Sequence, residues 1–441
     1  MAYITDFAVK EKYEYLSGFG NYHSSEAFQG AVSQVNNSPQ KPPFGLRTER
    51  LSGTSFTAPR SKNLQTWMYR ASSSLFHSEF VPYEDAPDAP THMSPNGYMW
   101  PSFPVEEGCD WVQQKLLARN GDPAAKHGTA IWIFSITKDM SPHTVISSLD
   151  GDSLIIVQAG AIDIQTEFGK LLVRQNEVAM IPRGLRYRVT LATQSARGYV
   201  CELFQGHWDL PELGPIGSTG LANVRDFQVP VACFDMTLDG DNARANDAEW
   251  TIISRMNGRL WSCTQDHTPF DVAGWHGTYY PFKYDLARFC VMGNVLYDEH
   301  DPSLYAVLSA STGDNPGASA VDFLILPPRW QATDAFWLPY YHRNTHSEFF
   351  GPIINKQDPE FPLNKGLDFR PFAAGLNGTM TTHGAAEQDF QKARDADLKP
   401  AMLQNDGISV FLLETEKPLF LSEWAAKGAV KNFGHEPRPK I

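Results

Sequence analysis

Two histidines and one carboxylate in the C-terminal half are of the types that hold a redox-active metal. His342 and Glu348 lie in the run Tyr340-Tyr341-His342-Arg343-Asn344-Thr345-His346-Ser347-Glu348-Phe349-Phe350, and His383 follows in Met380-Thr381-Thr382-His383-Gly384. Imidazole nitrogen suits Fe(II), and a carboxylate offsets its charge. Three protein ligands on one face leave positions open for a substrate and dioxygen. The chemistry implied is oxidation at a non-haem Fe(II) centre. By spacing alone a histidine ahead of a glutamate is a common coincidence. A lone histidine is more often a surface residue or a satisfied core residue, so both readings stand at this level. His346, between the two, has three readings: an outer partner of a ligand, an alternative ligand, or a surface side chain.

Such ligands need rigid elements to aim them, and the sequence supplies strands. From about Ala130 short apolar runs alternate with turns: Ile131–Ile136, Ser153–Val157, Ala161–Thr166, Lys170–Val173, Glu177–Ile181, Arg186–Leu191 and Tyr199–Phe204. Gly, Asn or Asp separates them at intervals near ten residues, the rhythm of an antiparallel sandwich or barrel. A second strand-rich block includes Trp250–Arg255, Tyr305–Leu308, Asp322–Leu326 and Ile408–Leu413, with one helix expected at Ala385–Asp397. The fold class is therefore all-β with few helices, built as two cupin-like barrels or sandwiches, the second of them metal-binding. The boundary falls between Gly206 and Gly277. The division is residues 1–270, an N-terminal wrap plus a metal-free β domain, and 271–441, the iron-binding domain. The wrap is read from roughly the first hundred residues, where runs such as Asn37-Ser38-Pro39-Gln40-Lys41-Pro42-Pro43 break helices while Phe, Tyr and Trp are frequent. Gly160 to Gly184 resembles half a cupin barrel. Tyr187 stands near the place where a metal-binding cupin often has a histidine, so the first barrel is read as structural.

Bulk properties narrow the class further. The chain has 441 residues, 42% of them hydrophobic and 20% charged, the balance of a folded soluble protein. A formal charge of −13 argues against nucleic acid or an anionic membrane as partner, while leaving a small anionic substrate admissible. Five scattered cysteines without a CxxC pair are read as reduced, mostly buried thiols. The N-terminus lacks a basic start followed by an apolar core, and no run approaches the roughly 18 apolar residues of a membrane helix. The compartment expected is the cytosol.

Tyr341-His342-Arg343-Asn344 followed by Ser347-Glu348-Phe349 resembles the iron-binding motif of the homogentisate 1,2-dioxygenase family. Thr379-Met380 with His383-Gly384 resembles its third-ligand segment. The resemblance runs along nearly the whole chain. It includes Ser17-Gly18-Phe19-Gly20-Asn21, Leu51-Ser52-Gly53-Thr54, Phe56-Thr57-Ala58-Pro59-Arg60, Thr166-Glu167-Phe168-Gly169-Lys170, Leu213-Gly214-Pro215-Ile216-Gly217, Trp275-His276-Gly277 and Pro327-Pro328-Arg329-Trp330. The resemblance implies a two-barrel fold and one Fe(II) ion held by His342, Glu348 and His383. It further implies cleavage of homogentisate by dioxygen to maleylacetoacetate, a step in phenylalanine and tyrosine breakdown, and assembly as a trimer or hexamer.

The chain also departs from the family pattern. The family's assisting histidine directly follows an Asp, whereas here Tyr297-Asp298-Glu299-His300 puts Glu299 in that place and His300 one step on. His300 is taken as the catalytic base, with Glu299 as its rival. Asn377 stands where the family has a histidine, and no tyrosine occurs in the stretch around Gln357 that would help hold the substrate's acetate group. Gln357 and Asn377, together with His383, are the expected substrate-binding residues, the two amides being weaker donors. Tyr22-His23 replaces an acidic-aromatic pair. A diverged relative cleaving another para- or ortho-diol, a metal-free two-barrel binding protein, and an isomerase or hydrolase using another divalent metal are the alternatives.

Overall fold

The structure is a computed structural model that describes residues 5–34, 43–52, 64–71, 81–82, 97–211 except 102, 104 and 105, 221–291 except 240, 241, 246 and 247, 305–312, 319–331, 346–354, 374–379, 396–403 except 398, and 407–433. The helix expected at Ala385–Asp397 lies, apart from its last two residues, outside these.

The apolar run Leu154-Ile155-Ile156-Val157 is buried on both faces and forms the middle of a nine-stranded sheet. Branched side chains fit such a pleated, doubly covered position. The strand Asp152–Ala159 pairs antiparallel with Glu177–Ile181 on one side and Ala196–Leu203 on the other. Beyond these the sheet continues to His127–Ile136 and Lys115–Asp122, and in the other direction to Phe282–Asp285. A seven-stranded sheet faces it, containing Gly169–Arg174, Ala161–Thr166, Tyr187–Leu191, Thr144–Ser148, Trp250–Met256 and Arg259–Gln265. The hairpin Ala161–Thr166/Gly169–Arg174 closes over Glu167-Phe168. Gly169 there has φ +132°, and a Cβ on it would meet the Val231 carbonyl at 2.0 Å, so only glycine fits.

The second half is built on another seven-stranded sheet, in the order Ala306–Ser311, Ser319–Leu326, Ile408–Thr415, Ser347–Ile354, Ala374–Asn377, Gly97–Trp100 and Val430–Phe433. The halves exchange strands. Gly97–Trp100 comes from the N-terminal stretch, while Phe420–Leu421, near the other end, pairs with Lys115–Asp122 in the first half's sheet. One hydrophobic core runs through both: Tyr199 packs against Phe349 and Phe411 at centroid separations of 5.4 and 5.2 Å. The Gln158 amide donates to the Pro352 carbonyl at 2.6 Å, and Asp209 and Ser309 exchange two backbone hydrogen bonds. The short helix Glu423–Gly428 is capped by Ser422 and receives the Trp100 indole N–H on the Ala425 carbonyl.

The N-terminal stretch, read as an irregular wrap, contributes regular strands. Arg47–Ser52, Gln65–Arg70 and His23–Glu26 form a four-stranded sheet with Val272–Gly277. Its anchor is Arg70, fully buried, hydrogen-bonded to Glu167 and Asp271 at 2.5 and 2.9 Å and ion-paired with Glu49 at 2.9 Å. Burial works against its charge, but the three carboxylates reverse this and raise its pKa. Tyr22, exposed, touches Nδ1 of His276, and the buried Tyr69 hydroxyl lies 2.9 Å from Nε2. Burial lowers the His276 pKa, so the ring is neutral with a single acceptor nitrogen, and one of the two hydroxyls accepts from it. His23 contacts the Gly18 carbonyl at 2.8 Å. All five cysteines are free thiols, as expected. Only Cys201 and Cys263 are buried, Cys290 being exposed, so "mostly buried" overstates their cover. No helix among the described residues is long and apolar enough to cross a membrane.

Asp152 ties the first sheet to the loop that leads toward the second half. It accepts from Arg183 Nε at 2.9 Å, from His207 Nδ1 at 2.7 Å and from the Tyr279 hydroxyl. Burial alone would raise its carboxyl; Arg183 and His207 reverse that and hold it well below the ordinary carboxylate range. Asp152→Asn leaves the half-buried Arg183 guanidinium without its anion, a loss of up to roughly 3 kcal/mol. Because the folded pKa is depressed, this stabilisation is present above the unfolded value of about 3.9 and is lost as pH falls through the folded one. Urea titrations should therefore show a large wild-type advantage at pH 7 that shrinks below about pH 4. Equal stability at pH 7 would contradict the role assigned to Asp152.

Candidate metal centre

Glu348 is the second residue of the Ser347–Ile354 strand, every residue of which is buried. The strand sits in the middle of its sheet, between Ile408–Thr415 and Ala374–Asn377. Alternate side chains point to opposite faces. Phe349 therefore packs on Tyr199 in the first half, and Glu348 takes the other face, where it is 6% exposed. The neighbouring strand Ile408–Thr415 shows the same two-sidedness, alternating half-buried and buried residues along its length. Beyond Phe350 the strand Ala374–Asn377 offers no further partner, and Pro352, which has no N–H to give, stands there.

Register fixes the neighbours of Glu348. Asn377 lies directly opposite on one side and Glu414 on the other. Glu414 in turn faces Asp322, and Asp322 faces Ser309. Asp322 accepts from the Ser309 and Ser319 hydroxyls, each at 2.5 Å. The row is thus acidic, with carboxylates on three adjacent strands. The described residues contain no group of three His, Cys, Asp or Glu side chains set to hold a metal, this row included.

Of the residues singled out in the sequence, the structure brings Glu348 and Asn377 together. His342, His383, His300, Glu299 and Gln357 lie outside the described residues. The carboxylate lies within a strand, because the aromatic residues after it continue the sheet. His346 is half-buried with Nε2 3.3 Å from the Ser319 carbonyl. The segment preceding His383 is placed up to Thr379, whose hydroxyl is 3.1 Å from that of Ser347. Sequence reasoning missed Glu414 and Asp322 as neighbours. The run Ile408-Ser409-Val410-Phe411-Leu412-Leu413 is apolar almost throughout and gives no alternation to reveal them, and the expected strand stopped two residues before the observed end at Thr415.

The corresponding region of the first half has been filled. Tyr187 is buried and accepts from the Trp111 indole N–H at 3.0 Å; burial pushes its hydroxyl up to about 12. Glu202, fully buried, accepts from Ser148 and from the Trp132 indole at 3.0 Å, with Arg255 at 3.7 Å. Burial raises its carboxyl despite that arginine.

Sheets that are antiparallel but for one parallel pair, Trp250–Met256 beside Thr144–Ser148, make this an all-β protein. The profile of the homogentisate 1,2-dioxygenase N-terminal domain matches residues 14–286, and that of the homogentisate 1,2-dioxygenase C-terminal domain matches residues 287–435. The chain belongs to the homogentisate 1,2-dioxygenase family and is an enzyme, a dioxygenase that takes dioxygen and an organic substrate. It is 47% identical over 438 residues to homogentisate 1,2-dioxygenase of Emericella nidulans, covering 97% of this chain and 94% of that protein. It is 40% identical to the enzyme of the same name from Caenorhabditis elegans (94% of each chain) and from Drosophila melanogaster (95% of each). Among solved structures, a cupin-2 domain protein from Shewanella frigidimarina aligns over 22% of this chain and 83% of its own, with 14% identity and a TM-score of 0.18.

The row predicts how position 377 responds to charge. Asn377→Asp would set a further carboxylate directly opposite Glu348, and like charges so placed destabilise a sheet by up to about 1 kcal/mol. Asn377→Ser should cost less. Thermal denaturation of both variants checks the ranking, and an Asp variant as stable as wild type would refute the pairing.

Proposed function

We propose that the chain cleaves the ring of homogentisate, inserting both atoms of dioxygen to give maleylacetoacetate, at an Fe(II) ion held by His342, Glu348 and His383. The observation that carries this reading is the place of Glu348, buried in a central strand beside the segment that leads to His383. Thr379 touches Ser347, and His383 follows it by four residues, a span of at most about 14 Å. His342 precedes Ser347 by five. Both imidazoles are thus within chain reach of the carboxylate, and two imidazoles with one carboxylate form a set that suits Fe(II) with positions left open.

When bound, the iron brings the diol and dioxygen side by side and couples their electrons. The protein's own groups do the rest. Glu348 offsets the charge of the ion and, held on both sides by paired strands, keeps its direction fixed. His300 takes the proton of the substrate hydroxyl, which raises the electron density of the ring. Asn377, facing Glu348, and Gln357 donate amide N–H groups to the substrate's acetate. An anion that leaves water needs such donors. Family membership further supports a cytosolic homo-oligomer, a trimer or hexamer.

His342→Ala, Glu348→Ala and His383→Ala should each abolish tight iron binding, read by metal analysis after gel filtration, with the far-ultraviolet spectrum unchanged. A variant that keeps full iron and full oxygen uptake with homogentisate removes that residue from the ligand set.

For the base, His300→Ala should lower turnover by roughly 10²–10⁴ with iron retained, and Glu299→Gln should do less. The reverse ranking would transfer the role to Glu299.

A further inference from the structure

The row of side chains next to Glu348 on the same face is apolar and closely fitted. Phe350 follows Glu348 by two residues and so shares its face. Leu412 stands opposite it on one side and Gly375 on the other, and Leu324 faces Leu412. The Phe350 ring lies across the neighbouring strand. A Cβ added to Gly375 would sit 2.3 Å from Phe350 Cζ, 2.5 Å from Cε2 and 3.0 Å from Cε1. Carbon atoms in contact stand about 3.5–4.0 Å apart, so the ring fills the place a side chain at 375 would take. Gly375 has no left-handed φ that would call for glycine; the ring is the reason for it. Position 375 is also two residues before Asn377, on the same face of the same strand. Phe350 therefore bounds the surface between Glu348 and Asn377 on its apolar side.

We propose that Phe350, seated in the notch left by Gly375, determines which ring substituents the dioxygenase accepts. This rests on Glu348 being the metal-binding carboxylate. A substrate held at Glu348 meets Phe350, Leu412 and Leu324 on that side. These side chains carry no hydrogen-bond donor, so a charged substituent placed there would lose water without compensation. The charged side chain of the substrate is directed away from this wall, and the ring's C–H edge lies against it. The wall leaves no room for a larger group at that edge, because the ring is already wedged into the adjacent strand.

The test uses the iron-loaded full chain with homogentisate and its singly ring-methylated homologues. The readouts are steady-state kinetics, calorimetric binding without oxygen, and iron content. Phe350→Ala should raise kcat/KM for one methylated homologue relative to homogentisate by about tenfold or more, the scale of one methylene in an apolar pocket. Gly375→Ala should push the ring off its seat and weaken homogentisate binding about tenfold with iron content unchanged. Phe350→Leu combined with Gly375→Ala should recover most of that loss, since the smaller side chain clears the new methyl. If Gly375→Ala does not fold, Phe350→Ala and Phe350→Leu still decide the matter. An unchanged preference among the homologues in every folded variant would overturn the proposal. In the same series, iron loss in Glu348→Ala with an unchanged preference at Phe350 defeats only this inference. Full iron in Glu348→Ala defeats the metal assignment beneath it.

Discussion

The geometry of the site depends on the pairing of Ser347–Ile354 with strands on both its sides. A strand has a period of two, so a slip of one residue would turn Glu348 into the core and bring Phe349 out to the other face. Phe349 prevents this. Its contacts with Tyr199 and Phe411 belong to a core shared by both halves, and exchanging it for a carboxylate there would strand a charge. The apolar face thus specifies the register, and the register specifies the neighbours of the acid. Asn377, Glu414 and Phe350 need no local signal of their own to be where they are.

The first half supplies what the second half leans on. Two of its buried charges sit among opposite charges: Asp152 with Arg183, His207 and Tyr279, and Arg70 with three carboxylates. A buried charge is tolerated only when so surrounded, and a set of this kind fixes geometry more firmly than it adds stability. Tyr187 and Trp111 are joined by a buried hydrogen bond inside the same half.

Much of this was legible along the chain. The strands between Ala130 and Phe204 were found within a few residues, apart from Thr144–Ser148, because their apolar runs are bounded by glycines and polar turns that leave little choice. The runs at Asp322 and Ile408 were found for the same reason. Ser347–Ile354 was not read as a strand: all its residues are buried, so it shows no alternation, and it contains a glycine and a proline. The short N-terminal strands His23–Glu26 and Gln65–Arg70 were missed because their partner, Val272–Gly277, lies some two hundred residues away. The ligand motif was visible as residue types, and the family resemblance gave it meaning. The acidic row and the Phe350–Gly375 contact were not visible, since both arise from pairing across strands that are distant in sequence.

The exchange of strands between the halves has a consequence for how the chain is made. Phe420–Leu421 borders the first half's sheet, and Gly97–Trp100 belongs to the sheet of the second. During synthesis the N-terminal part emerges first and can fold early. Here that early half must wait with one sheet edge uncovered until Phe420–Leu421 have left the ribosome. The strand at residue 97 meanwhile has no sheet to join. Cutting the chain between the halves would leave an open edge on each sheet.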